Sequence, residues 1–315
     1  MNLITLITQY ITYRKALGEK FRTNEECLKS FCKKIGADIE IDQIPEDVVT
    51  LFLYGKDKVN ITSGWFIKHN ALLGFYQYAH TRGYIDKIPL PNILPKHPQP
   101  FVPYIYSKDD LRQLLKAVSI SQRYKNSVQP HMIRMILILL YATGLRIHEA
   151  LSVQLRDINL TQNLITVRDA KFYKSRIIPI GNQLKDILGE YLLWRDQYIS
   201  RDELEATLFF NKKNLPLSIR AVREIFQRIR KKAGLTGNEG STYLPRLHDL
   251  RHTFALHHLI VWYQEKRDIQ KLLPILSTYM GHSKLAYTTV YLSMTTDLLR
   301  EAGARFEEYA MGGQS

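Results

Sequence analysis

Apolar residues recur at three- and four-residue intervals from the start of the chain. Leu3, Ile4, Ile7, Tyr10 and Ile11 form one such stripe, the spacing of a helix with one buried face. A second helix is expected from about Asn24 to Ile35, a third after Pro45, and a fourth across "ITSGWFIKHNALLGFYQYAHTRG". Together they predict a compact helical bundle. The periodicity then stops. In "IPLPNILPKHPQPFVP", Pro89, Pro91, Pro95, Pro98, Pro100 and Pro103 are six of the chain's 12 prolines. Proline lacks an amide donor and resists helix, so this stretch reads as an extended linker.

The pattern beyond the linker is mixed. Ser107 is placed to cap "KDDLRQLLKAV", with Asp109 and Asp110 in the first turn. "HMIRMILILLYAT" predicts a buried helix broken at Gly144. "LITVRDAKFYKSRIIPI" sets β-branched residues on either side of a polar centre, which reads as a hairpin. Further helices are expected at about 182–199, 218–233, 248–265 and 268–279, with shorter ones to the end. At 315 residues, two domains are a better expectation than one. The class is mainly α with a small β-hairpin, and no internal repeat is visible.

Composition adds a partner. The net charge is +14 and the isoelectric point about 9.6, which favours a polyanion such as nucleic acid. Residues 1–104 hold 13 basic and 10 acidic residues, whereas residues 105–315 hold 31 and 20. The charge is therefore concentrated in the second part. Cys27 and Cys32 are too few for a disulfide scaffold and lack partners at zinc spacing. Both read as reduced structural residues, which suits a cytoplasmic protein. The N-terminus lacks the features of a signal peptide. No apolar run reaches the ~20 residues of a membrane span; "MIRMILILLYATGL" is short and carries Arg134.

Three segments carry candidate chemistry. In "RLHDLRHTFALHHL", His248 and Arg251 lie three apart at a predicted helix start and share a face. Most such pairs are solvated surface, but here the following residues turn apolar. In "YATGLRIHEAL", Arg146 follows a buried helix and needs a partner or an anionic ligand. Glu149 either orients it or closes a plain internal salt bridge. In "MGHSKLAYTTVY", His282 follows a glycine turn, and Tyr287 and Tyr291 lie four apart. A phenol, with an ordinary pKa of ~10, attacks only with a base or a strongly polarised electrophile. A phosphodiester clamped by two arginines and two histidines is such an electrophile, because charge growing on its non-bridging oxygens meets fixed cations. Spacing within the segment does not choose between the two tyrosines.

The order of these segments resembles the tyrosine recombinases, the integrase family of site-specific DNA recombinases. "ATGLRIHEAL" is similar to the family's first arginine box, "HDLRHTFALHHL" to the second, and "MGHSKLAYTTVYLS" to the third. The nine-residue interval from His282 to Tyr291 matches the family and singles out Tyr291; five residues to Tyr287 does not. The motifs span about residues 105–295, and the N-terminal helices match the family's core-binding domain in kind only. The resemblance implies a helical, SAM-like core-binding domain at 1–88, a linker at 89–104 and a mixed α+β catalytic domain at 105–295. A tail helix at 296–315 would dock on its own domain or on a neighbouring protomer.

Roles follow from the same resemblance. Arg146 and Arg251 would bind the scissile phosphate. His248 would contact a non-bridging oxygen or help take the tyrosine proton, and His282 would donate to the phosphate. Glu149 would hold the network in place. Tyr291 would attack phosphorus to give a 3′-phosphotyrosine and a free 5′-hydroxyl, without ATP, metal or other cofactor. A hairpin lysine would serve as general acid: "KSR" and "IP" align Lys171 with that position and leave Lys174 as a phosphate-contacting or solvated residue. Arg220, Arg223, Arg230 and Lys231 on one helix, and Lys56, Lys58, Lys68 and His69 in the bundle, would grip DNA or form solvated faces. The implied partner is double-stranded DNA with paired, roughly inverted core sites, bound by a homotetramer that is monomeric when free.

The absence of a further domain before the bundle leads to the expectation of a simple-site recombinase, serving a mobile element (integration, excision or transposition) or DNA resolution. Two other readings remain: a type IB topoisomerase that reseals without exchange, and a non-catalytic DNA-binding relative. A metal-dependent nuclease lacks a suitable carboxylate–histidine spacing.

Overall fold

The computed structural model describes residues 1–55, 61–96, 102–120, 128–168, 175–198, 205–211, 213–237, 243–282 and 284–293. The chain divides into two compact units, Met1–Phe101 and Val102–Ser315.

The first unit contains α1 (Leu3–Ala16), α2 (Arg22–Ile35), α3 (Glu46–Tyr54) and α4 (Ser63–Thr81). Helix α1 starts where Asn2 accepts a hydrogen bond from the Thr5 amide, and it buries Leu3, Leu6, Ile7, Tyr10 and Ile11. The stripe read from the sequence is thus the buried face, apart from Ile4, which is exposed. Helices α2 and α4 add Leu28, Phe31, Leu72, Phe75 and Tyr76 to one core. Cys32 lies in that core, Cys27 is half-buried, and both are free thiols. Between Thr81 and Lys108 the described residues form no helix or strand, consistent with their prolines.

The second unit opens with α5 (Lys108–Ile120). Ser107 and Asp110 cap it reciprocally: the Asp110 amide donates to Ser107 Oγ at 3.0 Å, and the Ser107 amide donates to Asp110 Oδ2 at 2.8 Å. Such a cap contributes about 1 kcal/mol. Helix α6 (Pro130–Thr143) begins on a proline and stops at Gly144, whose φ is +60°. A Cβ on Gly144 would lie 2.5 Å from the Phe254 ring, so both the turn and the packing demand glycine. Short α7 (Ile147–Ser152) follows at once.

A three-stranded antiparallel sheet comes next, in the order β1 (Ile158–Asn159), β2 (Leu164–Val167), β3 (Arg176–Pro179). Ile165 pairs with Ile178, and both are buried. The expected hairpin is β2–β3, with β1 an addition too short to show in the pattern. Helices α8 (Asn182–Arg195) and α9 (Ile219–Lys232) pack on the same core as α6 and the sheet. A second cluster joins α10 (Asp249–Gln264), α11 (Ile269–Met280) and the last turn, Val290–Ser293, which follows α12 (Ala286–Thr289). Among the described residues no helix is long and apolar enough to cross a membrane.

Candidate active site

Four chain segments converge in the second unit: the Gly144 turn, the start of α10, the Gly281 turn after α11, and the final turn at Tyr291. Arg251 is the fixed point. It is 2% exposed, and its guanidinium donates to the Gly144 carbonyl and to the Met280 carbonyl, each at 2.6 Å. One side chain thereby ties the end of α6 to the end of α11. Burial, and then the charge of Arg146, push its pKa down to about 9, the signature of a cation confined without a full counter-charge.

Arg146 sits half-buried at the start of α7. It donates to Glu149 Oε1 at 2.8 Å and to the Gly281 carbonyl at 2.9 Å, while its amide donates to Glu149 Oε2. Glu149 therefore orients Arg146, and it does so together with a residue that the sequence reading passed over. Arg176, at the start of β3, donates to both Glu149 oxygens, at 3.1 and 2.9 Å, and to the Tyr279 carbonyl at 2.9 Å. Burial works to raise the Glu149 carboxyl, but Arg176 and then Arg146 outweigh it and hold the pKa at about 2. Arg176 also explains Gly281: φ is +67°, and a Cβ there would come within 3.0 Å of the guanidinium.

Histidines line the other side. His248 immediately precedes α10, and burial, followed by its neighbours His252, Arg251 and Arg246, lowers it to about 4. His282 shares a hydrogen bond of 2.7 Å with Thr288 Oγ1 and lies nearly parallel to the Tyr291 ring, 6.4 Å away at 25°. Burial and then the charges of Arg251 and Arg146 depress His282 to about 3. Tyr291 itself is 2% exposed. Its hydroxyl lies 3.0 Å from His252 Nδ1. Burial raises its pKa, against the pull of Arg251 and Arg146. Tyr287 is 53% exposed, and its ring meets the His282 ring nearly at right angles, 6.3 Å away.

The structure thus brings together Arg146, Glu149, His248, Arg251, His282 and Tyr291. Arg223 and Arg230 line a neighbouring cleft of about 460 Å³ with Arg246 and His248; Arg230 donates to the Pro245 carbonyl at 3.0 Å. Arg220 and Lys231 are exposed on α9, and Arg220 pairs with Glu224. Lys68 belongs to the first unit, where its ammonium donates to the Phe52 carbonyl and lies over the Phe52 ring; His69 is buried there against Trp65. Lys56, Lys58, Lys171, Lys174 and the tail at 296–315 lie outside the described residues.

Two members of the site went unread, Arg176 and His252. Both stood inside segments already singled out. His252 follows His248 by four residues, so helical spacing alone puts the two on one face. For Arg176 no local pattern distinguishes a strand arginine that pairs across the chain with Glu149.

Comparisons with known proteins bear on the family and the fold. Residues 106–297 match the phage integrase family. A putative integrase/recombinase, y4rB, of Sinorhizobium fredii is 32% identical, over 96% of this chain and 96% of that protein. The tyrosine recombinase XerC of Thermodesulfovibrio yellowstonii is 31% identical over 81% of this chain and 79% of its own length. Among solved structures, the Tn1549 transposon integrase in complex with transposon right-end DNA superposes with a TM-score of 0.70. That match covers 98% of this chain and 100% of the other at 17% identity, a likeness of fold.

Proposed function

The chain belongs to the phage integrase family, and from that premise we propose that Tyr291 is its nucleophile and that Arg146, Arg251, His248 and His282 hold the scissile phosphate. The enzyme is a site-specific DNA recombinase, and DNA is its partner. The observation that carries the residue assignment is the convergence of two guanidiniums and three imidazoles around one buried phenol.

Attack of Tyr291 on phosphorus moves charge onto the non-bridging oxygens. Arg251, already fixed by two carbonyls, and Arg146, fixed by Glu149, need no reorganisation to meet that charge, which is the condition for selective transition-state stabilisation. An arriving phosphodiester also reverses the cost of confining Arg251 beside Arg146. His248 and His282 are neutral near pH 7 and serve as hydrogen-bond partners rather than cations. Lys171 gives a proton to the leaving 5′-oxygen. The product is a 3′-phosphotyrosine and a 5′-hydroxyl, and the hydroxyl then attacks the link in a partner strand. Because the covalent link keeps the bond energy, the reaction runs without ATP, metal or other cofactor. Arg223, Arg230 and Arg246 in the adjoining cleft, with the exposed basic residues of α9, contact backbone phosphates and position the duplex without reading sequence.

The working assembly is a homotetramer on two core sites, each with roughly inverted half-sites. A match to an integrase/recombinase over nearly the whole of both chains supports strand exchange in the service of a mobile element or of DNA resolution. The test uses a nicked duplex carrying the site that the protein selects from random-sequence DNA. Peptide mapping of the trapped adduct should find DNA on Tyr291, and Tyr291→Phe should bind the same duplex without forming an adduct. Two labelled sites should yield strand-exchange products in EDTA. An adduct on Tyr287 would overturn the assignment, and relaxation without exchange would mark a topoisomerase.

A further inference from the structure

Tyr291 is held by an imidazole to which the two-arginine, two-histidine reading gives no role. Its hydroxyl lies 3.0 Å from Nδ1 of His252, and the two rings meet at 5.6 Å and 59°. His252 stands one residue after Arg251 and one helical turn after His248, whose ring meets it edge-on at 4.9 Å and 88°. Among the described residues, the phenol's hydrogen-bond partner is His252 and not His248. We infer that His252 is the proton acceptor for Tyr291 in strand cleavage, a further catalytic residue whose role rests on Tyr291 being the nucleophile.

The geometry meets the first requirement of a general base, hydrogen-bond reach of the proton to be removed. With the imidazole proton on Nε2, Nδ1 presents its lone pair to the phenol O–H. The groups facing His252 are His248, Arg246 and Arg251 at the start of α10, Tyr291 on the last turn, and His282 after α11. Burial, and then the charges of Arg246 and Arg251, lower His252 to about 4, so near neutral pH it is uncharged and free to accept. The same surroundings make it a poor base in the free protein, while burial makes Tyr291 a poorer acid. Transfer is therefore strongly uphill until an anion enters. A phosphodiester, whose negative charge grows during attack, stabilises an imidazolium at this position. The base is thus switched on by the substrate, and the phenol stays protonated without it.

The step balances. The Tyr291 proton passes to His252 Nδ1 as the bond from the phenol oxygen to phosphorus forms. The bond from phosphorus to the 5′-oxygen breaks, and that oxygen takes a proton from the general acid proposed above. Rejoining runs the transfer backwards: the incoming 5′-hydroxyl gives up its proton to that group, and the His252 imidazolium returns a proton to the tyrosine oxygen.

The experiment measures single-turnover cleavage of the selected nicked duplex by full-length His252→Gln and His252→Gly, with thermal melting and DNA affinity as controls. Glutamine keeps a polar contact to the phenol but cannot carry the proton. Cleavage by His252→Gln should fall about 10²-fold or more, the contribution of a positioned base. Its rate should then climb about tenfold per pH unit toward the phenol's own pKa, because the phenol must first ionise into solvent, whereas the wild-type rate changes little between ~pH 7 and ~9. Added imidazole should restore part of the cleavage by His252→Gly. Wild-type rates in His252→Gln would overturn the inference. So would a loss of equal size at every pH in both variants, with no response to imidazole, which marks a packing role. Mapping the wild-type adduct separates the two levels. DNA on a residue other than Tyr291 brings down the site assignment itself, while DNA on Tyr291 with normal cleavage by His252→Gln brings down this inference alone.

Discussion

The two units bury different things. In the first, the core is aliphatic and aromatic, and among the described residues His69 is its one buried polar side chain. In the second, Glu149, Asp157, Arg195, Asp249 and Arg251 are all buried. The acids are matched: Asp157 by Arg168, Asp249 by Arg246, and Glu149 by Arg176 and Arg146. Arg251 differs from those acids, because its guanidinium bonds to two carbonyl oxygens. These carbonyls accept from two of its N–H groups but do not cancel its charge. A buried cation left in that state lowers stability and favours the arrival of an anion. The first unit is arranged to hold itself together, and the second gives up some stability to hold charge in a fixed place.

The comparison is tested hardest at Arg251. Arg251→Met keeps most of the volume and removes the charge. Cleavage of the nicked duplex should fall by about 10²-fold or more, the usual effect of removing one transition-state donor. Lysine at this position should not rescue it, since one ammonium cannot reproduce a planar fork reaching two carbonyls. Melting temperature should stay within a few degrees of wild type, because the lost hydrogen bonds are offset by relief of a buried charge. A collapse in stability would show that Arg251 is chiefly structural.

A smaller effect is expected at Arg176, which touches Glu149 and not the phenol. With Arg176 in place, the Glu149 charge is shared between two guanidiniums and Arg146 keeps much of its own field for the phosphate. Arg176→Gln leaves Glu149 to neutralise Arg146, so cleavage should drop by roughly tenfold, the scale of about 1.4 kcal/mol in a barrier. The double variant Arg176→Gln/Glu149→Gln should regain part of that loss, since it removes the anion along with its partner. A methylphosphonate at the cleavage site, lacking one negative oxygen, should narrow the gap between wild type and Arg176→Gln. A gap of the same size on both substrates would refute the charge argument.

How far the sequence could be read follows the same division. The four α-helices described in the first unit were legible in the sequence, because their apolar stripes face an apolar core, as at Leu3, Leu6, Ile7 and Tyr10. In the second unit the helices at 182–195, 219–232, 249–264 and 269–280 were legible too, as were the arginine and histidine segments that the structure brings together. What escaped was tertiary. The pairing of Arg176 with Glu149 spans 27 residues, and no propensity scale encodes it. His252 was visible at helical spacing from His248, but its meeting with Tyr291 depends on how the last turns fold back on α10. Strand β1 has two residues, too few for any alternation to register.

The charge in the second unit also predicts a pH response of the free protein. His248 and His252 are held at about 4 and His282 at about 3, below the ~6.5 of an unfolded chain. For a lowered histidine the unfolded state binds more protons, so stability is fully present above ~6.5 and is lost as pH falls toward the folded values. Glu149, held at about 2, keeps its contribution above the ordinary carboxylate range and is silent in this window. Melting temperature should therefore fall by several degrees between ~pH 7.5 and ~5. Hydrogen exchange should assign the lost protection to α10 and α11 and leave α1, α2 and α4 unchanged. A flat profile, or loss spread evenly over both units, would remove the distinction.

The smallest effect on catalysis should come from the reverse experiment, a large injury to the first core. Leu28 is fully buried among Phe31, Leu72 and Phe75, and Leu28→Ala should cost about 2–5 kcal/mol through lost transfer energy and the cavity left behind. None of the residues around Tyr291 belongs to that core. Below its melting temperature and at saturating DNA, the variant should cleave at the wild-type rate, with any defect confined to affinity. Denaturant unfolding alongside single-turnover cleavage measures both quantities on one preparation. A slower cleavage step at saturation would mean that the chemical site depends on the packing of the helical unit, and that stability and charge placement are not divided between the two units as their cores suggest.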